Sequence, residues 1–84
     1  MDSTNISGWE TTASGLYRKF IFKDFNNAFA FMVKVAQLVE QADHHPTWTN
    51  TYNKVEIWLV THDQGNQISS KDTTLAQAIN ALIK

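Results

Sequence analysis

The sequence contains no cysteine, which excludes disulfide bonds and thiolate metal sites. Its formal net charge is −1 and lysine and arginine form no run, so it lacks the basic footprint of direct nucleic-acid binding. No uninterrupted apolar segment is long enough to span a bilayer, and no signal-peptide hydrophobic region opens the chain. These absences predict a cytoplasmic protein that binds neither nucleic acid nor membranes directly.

Proline occurs once, at Pro46, directly after two of the three histidines. Because proline biases the preceding residue away from the α region, a helix that arrives from the N-terminal side is expected to end near His44. His45 should then point in a different direction. Histidine has an ordinary pKa of about 6.5, near neutral pH. Histidines gathered around one point therefore favour proton-transfer chemistry.

The chain is short for its apolar content. With 84 residues, it is expected to form a single domain over residues 1–84. A chain of this size buries only roughly 60–65% of its unfolded surface, yet 43% of its residues are hydrophobic. Apolar surface left over after one small core closes favours a homo-oligomer.

Two segments alternate with the period of a β-strand. Residues 16–23 place Leu16, Arg18, Phe20 and Phe22 on one side. Residues 55–62 alternate in the same way, and residues 47–52 are rich in β-prone side chains. We expect these last two segments to form a hairpin with Asn53 and Lys54 as its turn.

Two helices complete the pattern. Asp24 is a candidate N-cap for the first, and Ser69 with Asp72 resembles a capping box for the second. The first helix carries two apolar stripes, one of Phe25, Ala28 or Phe29, Met32, Ala36 and Val39, the other of Phe31, Val35, Leu38 and Ala42. We expect one stripe on the sheet and the other on a partner subunit; the alternative is a helix sunk in its own core.

With a short strand over residues 9–12, the order is strand, strand, helix, strand, strand, helix. This order predicts a two-layer α+β fold, in which both helices pack on one face of a four-stranded antiparallel sheet.

The candidate chemical site lies around His44 and His45. Glu40 precedes His44 by one helical turn, close enough to hydrogen-bond it, and the C-terminal end of a helix favours a positive charge. Both effects stabilise the imidazolium form of His44, which suits a general acid. Because a short hairpin returns the chain close to its origin, we expect His62 to approach both histidines.

Two neighbours have expected supporting roles. Asp43 either anchors the turn after the helix or contacts a ligand, and Trp48 offers an aromatic wall for a flat ligand. No candidate serine or cysteine nucleophile stands out, so acyl transfer has no support.

Two other interpretations compete with acid–base chemistry. Three histidines near a carboxylate resemble a zinc site, but adjacent histidines rarely bind one ion and the usual helical pair of histidines is absent. Alternatively, His44 and His45 are only a helix-end residue and a surface residue. The residues alone therefore favour an acid–base site without identifying its substrate.

Several segments carry a family resemblance. In chain order they are Phe20-Ile-Phe-Lys23-Asp24-Phe25-Asn26-Asn-Ala-Phe29-Ala-Phe31-Met32, Glu40-Gln-Ala-Asp43-His44-His45-Pro46-Thr-Trp48, Tyr52-Asn53-Lys54-Val55, Thr61-His62-Asp63 and Asp72. At these spacings the chain resembles the pterin-4a-carbinolamine dehydratase family from about residue 16 onward. His-His-Pro alone is a weak signal, whereas the combination is specific. Glu56 departs from the pattern, since some relatives carry histidine there, and the segment before Trp9 is short.

The resemblance implies a hydro-lyase reaction. Its substrate would be 4a-hydroxytetrahydrobiopterin, which is dehydrated to quinonoid dihydrobiopterin and water without a metal or an organic cofactor. The reaction recycles the pterin cofactor of aromatic amino acid hydroxylases.

The resemblance also implies the roles of individual residues. His44, His45 and His62 would form the active centre, with His44 and His62 transferring protons and His45 mainly positioning the pterin. The remaining residues expected to line the pterin pocket are Pro46, Thr61, Asp63 and Gln64.

Family members are typically homodimers or homotetramers, which the resemblance extends to this chain. Some animal members also act as dimerisation cofactors for a homeodomain transcription factor. The alternative function is therefore a dimerisation or transcriptional coactivator module that binds a partner protein through its helical face. A binding module would not need three histidines together, so the enzyme is the preferred interpretation.

Overall fold

The structure, a computed structural model, describes residues 6–61 and 67–83. Its elements are β1 (Glu10–Thr12), β2 (Gly15–Ile21), α1 (Phe25–Ala42), β3 (Thr47–Thr51), β4 (Lys54–Leu59) and α2 (Ser70–Ala81). The predicted order of strands and helices and the α+β class are confirmed. Neither helix in the described ranges is long and apolar enough to cross a membrane.

One antiparallel sheet holds the four strands in the order β1-β2-β4-β3. Successive residues of a strand point to opposite faces, and only one face of this sheet is deeply buried. Leu16 and Phe20 of β2 share the core with Val55 and Ile57 of β4 and with apolar residues of both helices. The predicted layout, with both helices on one face of a four-stranded sheet, is confirmed.

Local chemistry sets both ends of α1. At the start, the carboxylate of Asp24 accepts a hydrogen bond from the backbone N–H of Asn27 at 2.9 Å, as an N-cap should. At the end, Asp43 has a φ of 51°, a left-handed conformation that Asp tolerates better than most residues. The predicted end near His44 is confirmed, and the left-handed Asp43 is the residue that turns the chain.

The predicted division of α1 into two stripes is wrong. Phe31 and Val35, assigned to one stripe with Leu38, are both buried in the core of the subunit. The large apolar residues of α1 that remain exposed are Phe25, Phe29 and Val33, with exposed fractions of 43%, 52% and 45%. We call these three residues the outer stripe. Periodicity reveals that a helix has apolar faces, whereas its docking on the sheet decides which of them is buried.

The hairpin turn is displaced by one residue from its predicted position. Thr51 pairs with Lys54, so the turn is made by Tyr52 and Asn53, and the positive φ of 52° falls on Tyr52. Asn53 is held by contacts distant in sequence: its side-chain Nδ2 donates to the Phe22 carbonyl at 2.9 Å, and the Phe22 N–H donates to the Asn53 carbonyl at 2.9 Å. These two bonds attach the turn to the end of β2.

The outer face of the sheet carries a hydrogen-bonded pair of ionisable side chains. The Tyr17 hydroxyl on β2 donates to Oε2 of Glu56 on β4 at 2.7 Å. This bond raises the pKa of Tyr17 above its ordinary 10.0 and lowers the pKa of Glu56 below its ordinary 4.5. The cause is that the bond favours a protonated phenol and an ionised carboxylate.

Tyr17→Phe should therefore change how stability depends on pH. The Glu56 pKa is lower in the folded protein, so its contribution is present above about 4.5 and is lost as the pH falls through the folded pKa. The Tyr17 pKa is higher in the folded protein, so its contribution is present below about 10.0 and is lost as the pH rises through the folded pKa. We expect the difference in urea midpoint between wild type and Tyr17→Phe to be larger at neutral pH than at about pH 3.

Tyr52→Phe is the matched control, because the Tyr52 side chain is exposed in the β3–β4 turn. A Tyr17→Phe difference of equal size at both pH values would contradict the role of the Glu56 pair.

Candidate active site

The C-terminal end of α1 and the N-terminal end of α2 meet at a histidine and an aspartate. Nε2 of His44 lies 2.5 Å from Oδ1 of Asp72, a residue 28 positions further along the chain. The His44 side chain is 12% exposed and the Asp72 side chain is 0% exposed. The pair therefore sits at the boundary between core and solvent, with the carboxylate on the inside.

His44 reaches this position because α1 stops just before it. The left-handed Asp43 turns the chain, and the His44 backbone N–H closes the helix by donating to the Val39 carbonyl at 3.1 Å. From there the imidazole points toward the start of α2.

Asp72 is held by the capping box of α2. Oδ2 of Asp72 accepts the Ser69 backbone N–H at 2.9 Å, and Oγ of Ser69 accepts the Lys71 N–H at 3.3 Å. Asp72 lies in the first turn of α2, where the helix dipole favours a negative charge. The same side chain therefore caps α2 and contacts His44.

Thr61 supports Asp72 from the interior. The Thr61 side chain is buried, and its hydroxyl donates to Oδ2 of Asp72 at 2.8 Å. Because that bond uses the Thr61 proton, the hydroxyl of Ser69, 2.5 Å away, donates to Thr61. Thr61 was predicted to line the substrate pocket; the structure places its side chain against Asp72.

His45 forms a separate, exposed pair. Nε2 of His45 lies 2.7 Å from Oε2 of Glu40, and the two side chains are 55% and 76% exposed. The predicted hydrogen bond between Glu40 and His44 is wrong. Asp43 breaks the helical geometry before His44, so His44 turns inward and the next residue meets Glu40.

The other predicted site residues lie around this centre or outside the described ranges. Pro46 is half-buried, and half-buried Trp48 packs against the core. Asp43 is exposed and turns the chain through its backbone. His62, Asp63 and Gln64 lie outside the described residues.

A cleft of about 480 Å³ opens between α1 and α2, with His44 in its wall. Leu38, Lys71 and Leu75 are among the other lining residues. Of the predicted substrate-contacting residues that the structure describes, only His44 lines this cleft. Within residues 6–61 and 67–83, no group of three histidine, cysteine, aspartate or glutamate side chains is arranged to hold a metal ion.

Sequence reasoning missed the contact between Asp72 and His44. It assigned Asp72 to the capping box and to the family motif but not to a histidine. The aspartate in place of the usual glutamate makes this capping box unusual, but nothing in the local sequence identifies a partner 28 positions away. The one-oxygen contact of Asp72 with the cap leaves its second oxygen for another partner.

The fold and this centre define the class of the protein. It is a small α+β protein whose two described histidines each contact a carboxylate, one buried and one exposed. Imidazole–carboxylate pairs are suited to general acid–base chemistry.

Comparison with known proteins identifies the family. Residues 2–82 match the family described as Pterin 4 alpha carbinolamine dehydratase. The chain belongs to this family, which makes it a dehydratase, that is, a hydro-lyase.

Individual relatives agree with this placement. A protein of Synechococcus sp. (strain WH7803), provisionally named a pterin-4-alpha-carbinolamine dehydratase, is 49% identical over 80 residues, which is 95% of this chain and 85% of that protein. A protein of Prochlorococcus marinus (strain MIT 9215) with the same provisional name is 51% identical over 77 residues, covering 92% of this chain and 79% of that protein.

A solved structure extends the agreement to three dimensions. The crystal structure of a transcriptional coactivator/pterin dehydratase from Brucella melitensis matches with a TM-score of 0.87 and 39% sequence identity. The match covers 93% of this chain and 84% of that chain.

The buried hydroxyl of Thr61 gives a test of how the centre is held. Thr61→Val keeps the shape of the side chain but removes the donor to Asp72, and Thr61→Ser keeps the donor. Thr61→Val deprives Asp72 of one of the two donors to Oδ2 and the Ser69 hydroxyl of its partner. Because a buried polar group that loses a hydrogen-bond partner costs about 1–3 kcal/mol, we expect Thr61→Val to lower the free energy of unfolding by that amount, measured in urea. If Thr61→Ser destabilises the protein more than Thr61→Val does, packing of the Thr61 methyl group outweighs the hydrogen bond.

Proposed function

We propose that this protein converts a 4a-hydroxytetrahydropterin, with 4a-hydroxytetrahydrobiopterin as its natural form, into the quinonoid dihydropterin and water. Membership of the dehydratase family supports the reaction class. The observation that carries the assignment for this chain is the contact between the buried carboxylate of Asp72 and His44. It supplies a held imidazole next to a cleft, as a proton-transfer step requires.

The reaction needs two proton transfers. The C4a hydroxyl must receive a proton so that the C4a–O bond can break and its electron pair can leave with water. An electron pair on a ring nitrogen forms the new double bond to C4a, and the proton on that nitrogen goes to a base. One acid and one base near neutral pKa meet both needs, and each transfer contributes roughly 10²–10⁴-fold to the rate.

We assign these transfers to His44 and His62, and we assign the positioning of the pterin mainly to His45. His44 is held by Asp72, which suits a group that must deliver a proton at a defined place. His45 is exposed and paired with exposed Glu40, so its ring is accessible to a ligand. The role of His62 rests on the sequence pattern, in which it follows Thr61 directly.

The remaining parts of the proposal follow the family resemblance. Pro46, Asp63 and Gln64 line the pterin, and Thr61 acts through its contact with Asp72. The protein uses neither a metal nor an organic cofactor, since the pterin is its substrate. It recycles the pterin of aromatic amino acid hydroxylases in the cytoplasm.

Kinetics of histidine variants test the proposal. With purified protein and a 4a-hydroxytetrahydropterin, loss of the 4a-hydroxy species is followed over time. His44→Ala and His62→Ala should each lower kcat by about 10²–10⁴-fold, because a proton transfer is lost. His45→Ala should act mainly through KM, as expected for a contact made equally in the ground and transition states.

Glu40→Gln is the matched control for the exposed pair, since it removes a charge that contacts His45 and not His44. Like His45→Ala, Glu40→Gln should act mainly through KM, but with a smaller change. If the 4a-hydroxy species disappears no faster with wild-type protein than without it, the dehydratase proposal is refuted. If His45→Ala lowers kcat at unchanged KM while His44→Ala keeps the kinetics of the wild type, the assigned roles are reversed.

We also propose that the protein is a homodimer or homotetramer that assembles through the outer stripe. Phe25, Phe29 and Val33 form one exposed face of α1, and the rings of Phe25 and Phe29 stack with centroids 5.7 Å apart. A row of three large apolar side chains, each more than two-fifths exposed, favours burial against another chain. Assembly through this face leaves the His44–Asp72 centre within each subunit.

Phe29→Glu should break the assembly without unfolding the subunit, because the Phe29 side chain is exposed in the single chain. Sedimentation at micromolar concentration should give the monomer mass for this variant and a larger mass for wild type. Gln37→Glu introduces the same charge at an exposed polar position of α1 and should leave the mass unchanged. A monomeric wild type, or an unchanged mass for Phe29→Glu, would contradict the proposal.

A coactivator role is the second candidate function. The Brucella melitensis structure carries both activities in its name, and the outer stripe of this chain is the surface that a helical partner would need. The two functions separate experimentally, because Phe29→Glu leaves the proton-transfer centre intact while it removes the binding face. A wild-type protein without dehydratase activity that binds a partner through Phe29 would favour the coactivator role.

A further inference from the structure

We propose that Asp72 is a positioning residue for the proton-transfer centre: it keeps His44 protonated at Nε2 and leaves Nδ1 to exchange a proton with the substrate. The proposal deepens the dehydratase function given above and rests on it. It gives a role in the reaction to α2, which contributes no histidine to the site.

The hydrogen bonds of Asp72 decide which of its two oxygens faces His44. Oδ2 accepts from the backbone N–H of Ser69, a group that can only donate, and from the hydroxyl of Thr61. These two donors occupy Oδ2. Oδ1 is then the oxygen available to His44, whose Nε2 lies 2.5 Å away.

The state of the ring follows from this contact. A neutral imidazole has one donor and one acceptor nitrogen. With Asp72 as a carboxylate, Nε2 must carry the hydrogen that fills the short contact. Nδ1 is then the nitrogen that gains and loses a proton, as in other centres where a buried carboxylate selects the tautomer of a histidine.

This state gives a balanced proton path. His44 as the imidazolium donates its Nδ1 proton to the C4a hydroxyl, and the C4a–O bond breaks with its electron pair leaving on water. A ring-nitrogen electron pair forms the double bond to C4a, and the proton of that nitrogen passes to the second histidine. His44 ends as the neutral imidazole, with the hydrogen on Nε2 still hydrogen-bonded to Asp72. A proton from solvent then restores the imidazolium.

The exposed pair explains why Asp72 and not Glu40 has this role. Glu40 and His45 are both more than half exposed, so water competes for their contact and either side chain can rotate away. Asp72 is fully buried and fixed by two further donors, so it cannot leave His44 without losing hydrogen bonds. A rigid partner fixes a tautomer, whereas a mobile partner does not.

The first measurement uses the wild-type protein. Nitrogen-15 NMR of the His44 ring at a pH above its titration distinguishes the two neutral tautomers. We expect the signal pattern of an Nε2–H tautomer. A predominant Nδ1–H tautomer in the wild type would overturn the proposal, whatever the enzymatic activity is.

The second measurement uses Asp72→Asn. The amide oxygen of the asparagine must face the Ser69 N–H and the Thr61 hydroxyl, so its NH₂ group faces His44 and can only donate. Nε2 then becomes an acceptor and the hydrogen moves to Nδ1. We expect a shift to the Nδ1–H tautomer, a fall in kcat of about 10²-fold or more, and little change in KM.

Asp24→Asn is the matched control. It makes the same change from carboxylate to amide at the N-cap of α1, where the Asp24 side chain accepts the Asn27 N–H and asparagine caps about as well as aspartate. We expect the wild-type tautomer of His44 and a kcat within about threefold of wild type. If Asp24→Asn changes kcat as much as Asp72→Asn does, the loss does not come from the contact with His44 and the proposal fails.

The two proposals fail in different ways. A wild type that does not dehydrate the pterin refutes the dehydratase function, and the tautomer of His44 still decides the role of Asp72. An active wild type together with an Asp72→Asn variant of unchanged kcat refutes the positioning role alone.

Discussion

The carboxylate of Asp72 lies out of reach of water, so its oxygens must find their hydrogen bonds within the protein. Three partners meet this need: the Thr61 hydroxyl and the Ser69 backbone N–H, which donate to Oδ2, and the His44 imidazole, whose Nε2 contacts Oδ1. They come from the chain just after β4, the cap of α2 and the end of α1. Losing the His44 contact would leave Oδ1 of Asp72 without a partner, at a cost of about 1–3 kcal/mol. One buried acid therefore joins three segments that are distant in sequence, and it does so at the point where the two helices meet.

This constraint separates two histidines that are adjacent in sequence. His44 follows the left-handed Asp43 and turns inward to a buried carboxylate, whereas His45 remains outside with the exposed side chain of Glu40. A fixed imidazole suits the delivery of a proton, and an accessible imidazole suits contact with a ligand. The proposed division of roles in pterin dehydration thus has a structural origin in the conformation of one residue, Asp43. The outer stripe lies on the exposed side of α1, so assembly and catalysis can use different surfaces of the same helix.

Local patterns predicted most of the fold because the interactions behind them are local. The Asp24 N-cap and the capping box at Ser69 each involve residues within three positions of one another. The errors occurred where distant contacts decide the outcome. Asn53 is held by Phe22, which moves the hairpin turn to Tyr52. The buried face of α1 depends on its docking, and the contact between His44 and Asp72 joins positions 28 residues apart. The sequence therefore predicted the elements and the place of His44 and His45 at the end of α1, but not the carboxylate that each of these two histidines contacts.

The central claim is that the end of α1 and the start of α2 form the pterin site, with His44 as the residue that meets the ring. The most direct measurement is a titration of the protein with a 7,8-dihydropterin, a stable relative of the product, followed by NMR of the histidine rings. The account predicts that the signals of His44 Nδ1 and of the His45 ring change in parallel as the ligand binds. Nε2 of His44 should keep its hydrogen and its hydrogen bond to Asp72. Saturable binding that leaves both rings unchanged and perturbs the outer stripe of Phe25, Phe29 and Val33 would contradict it.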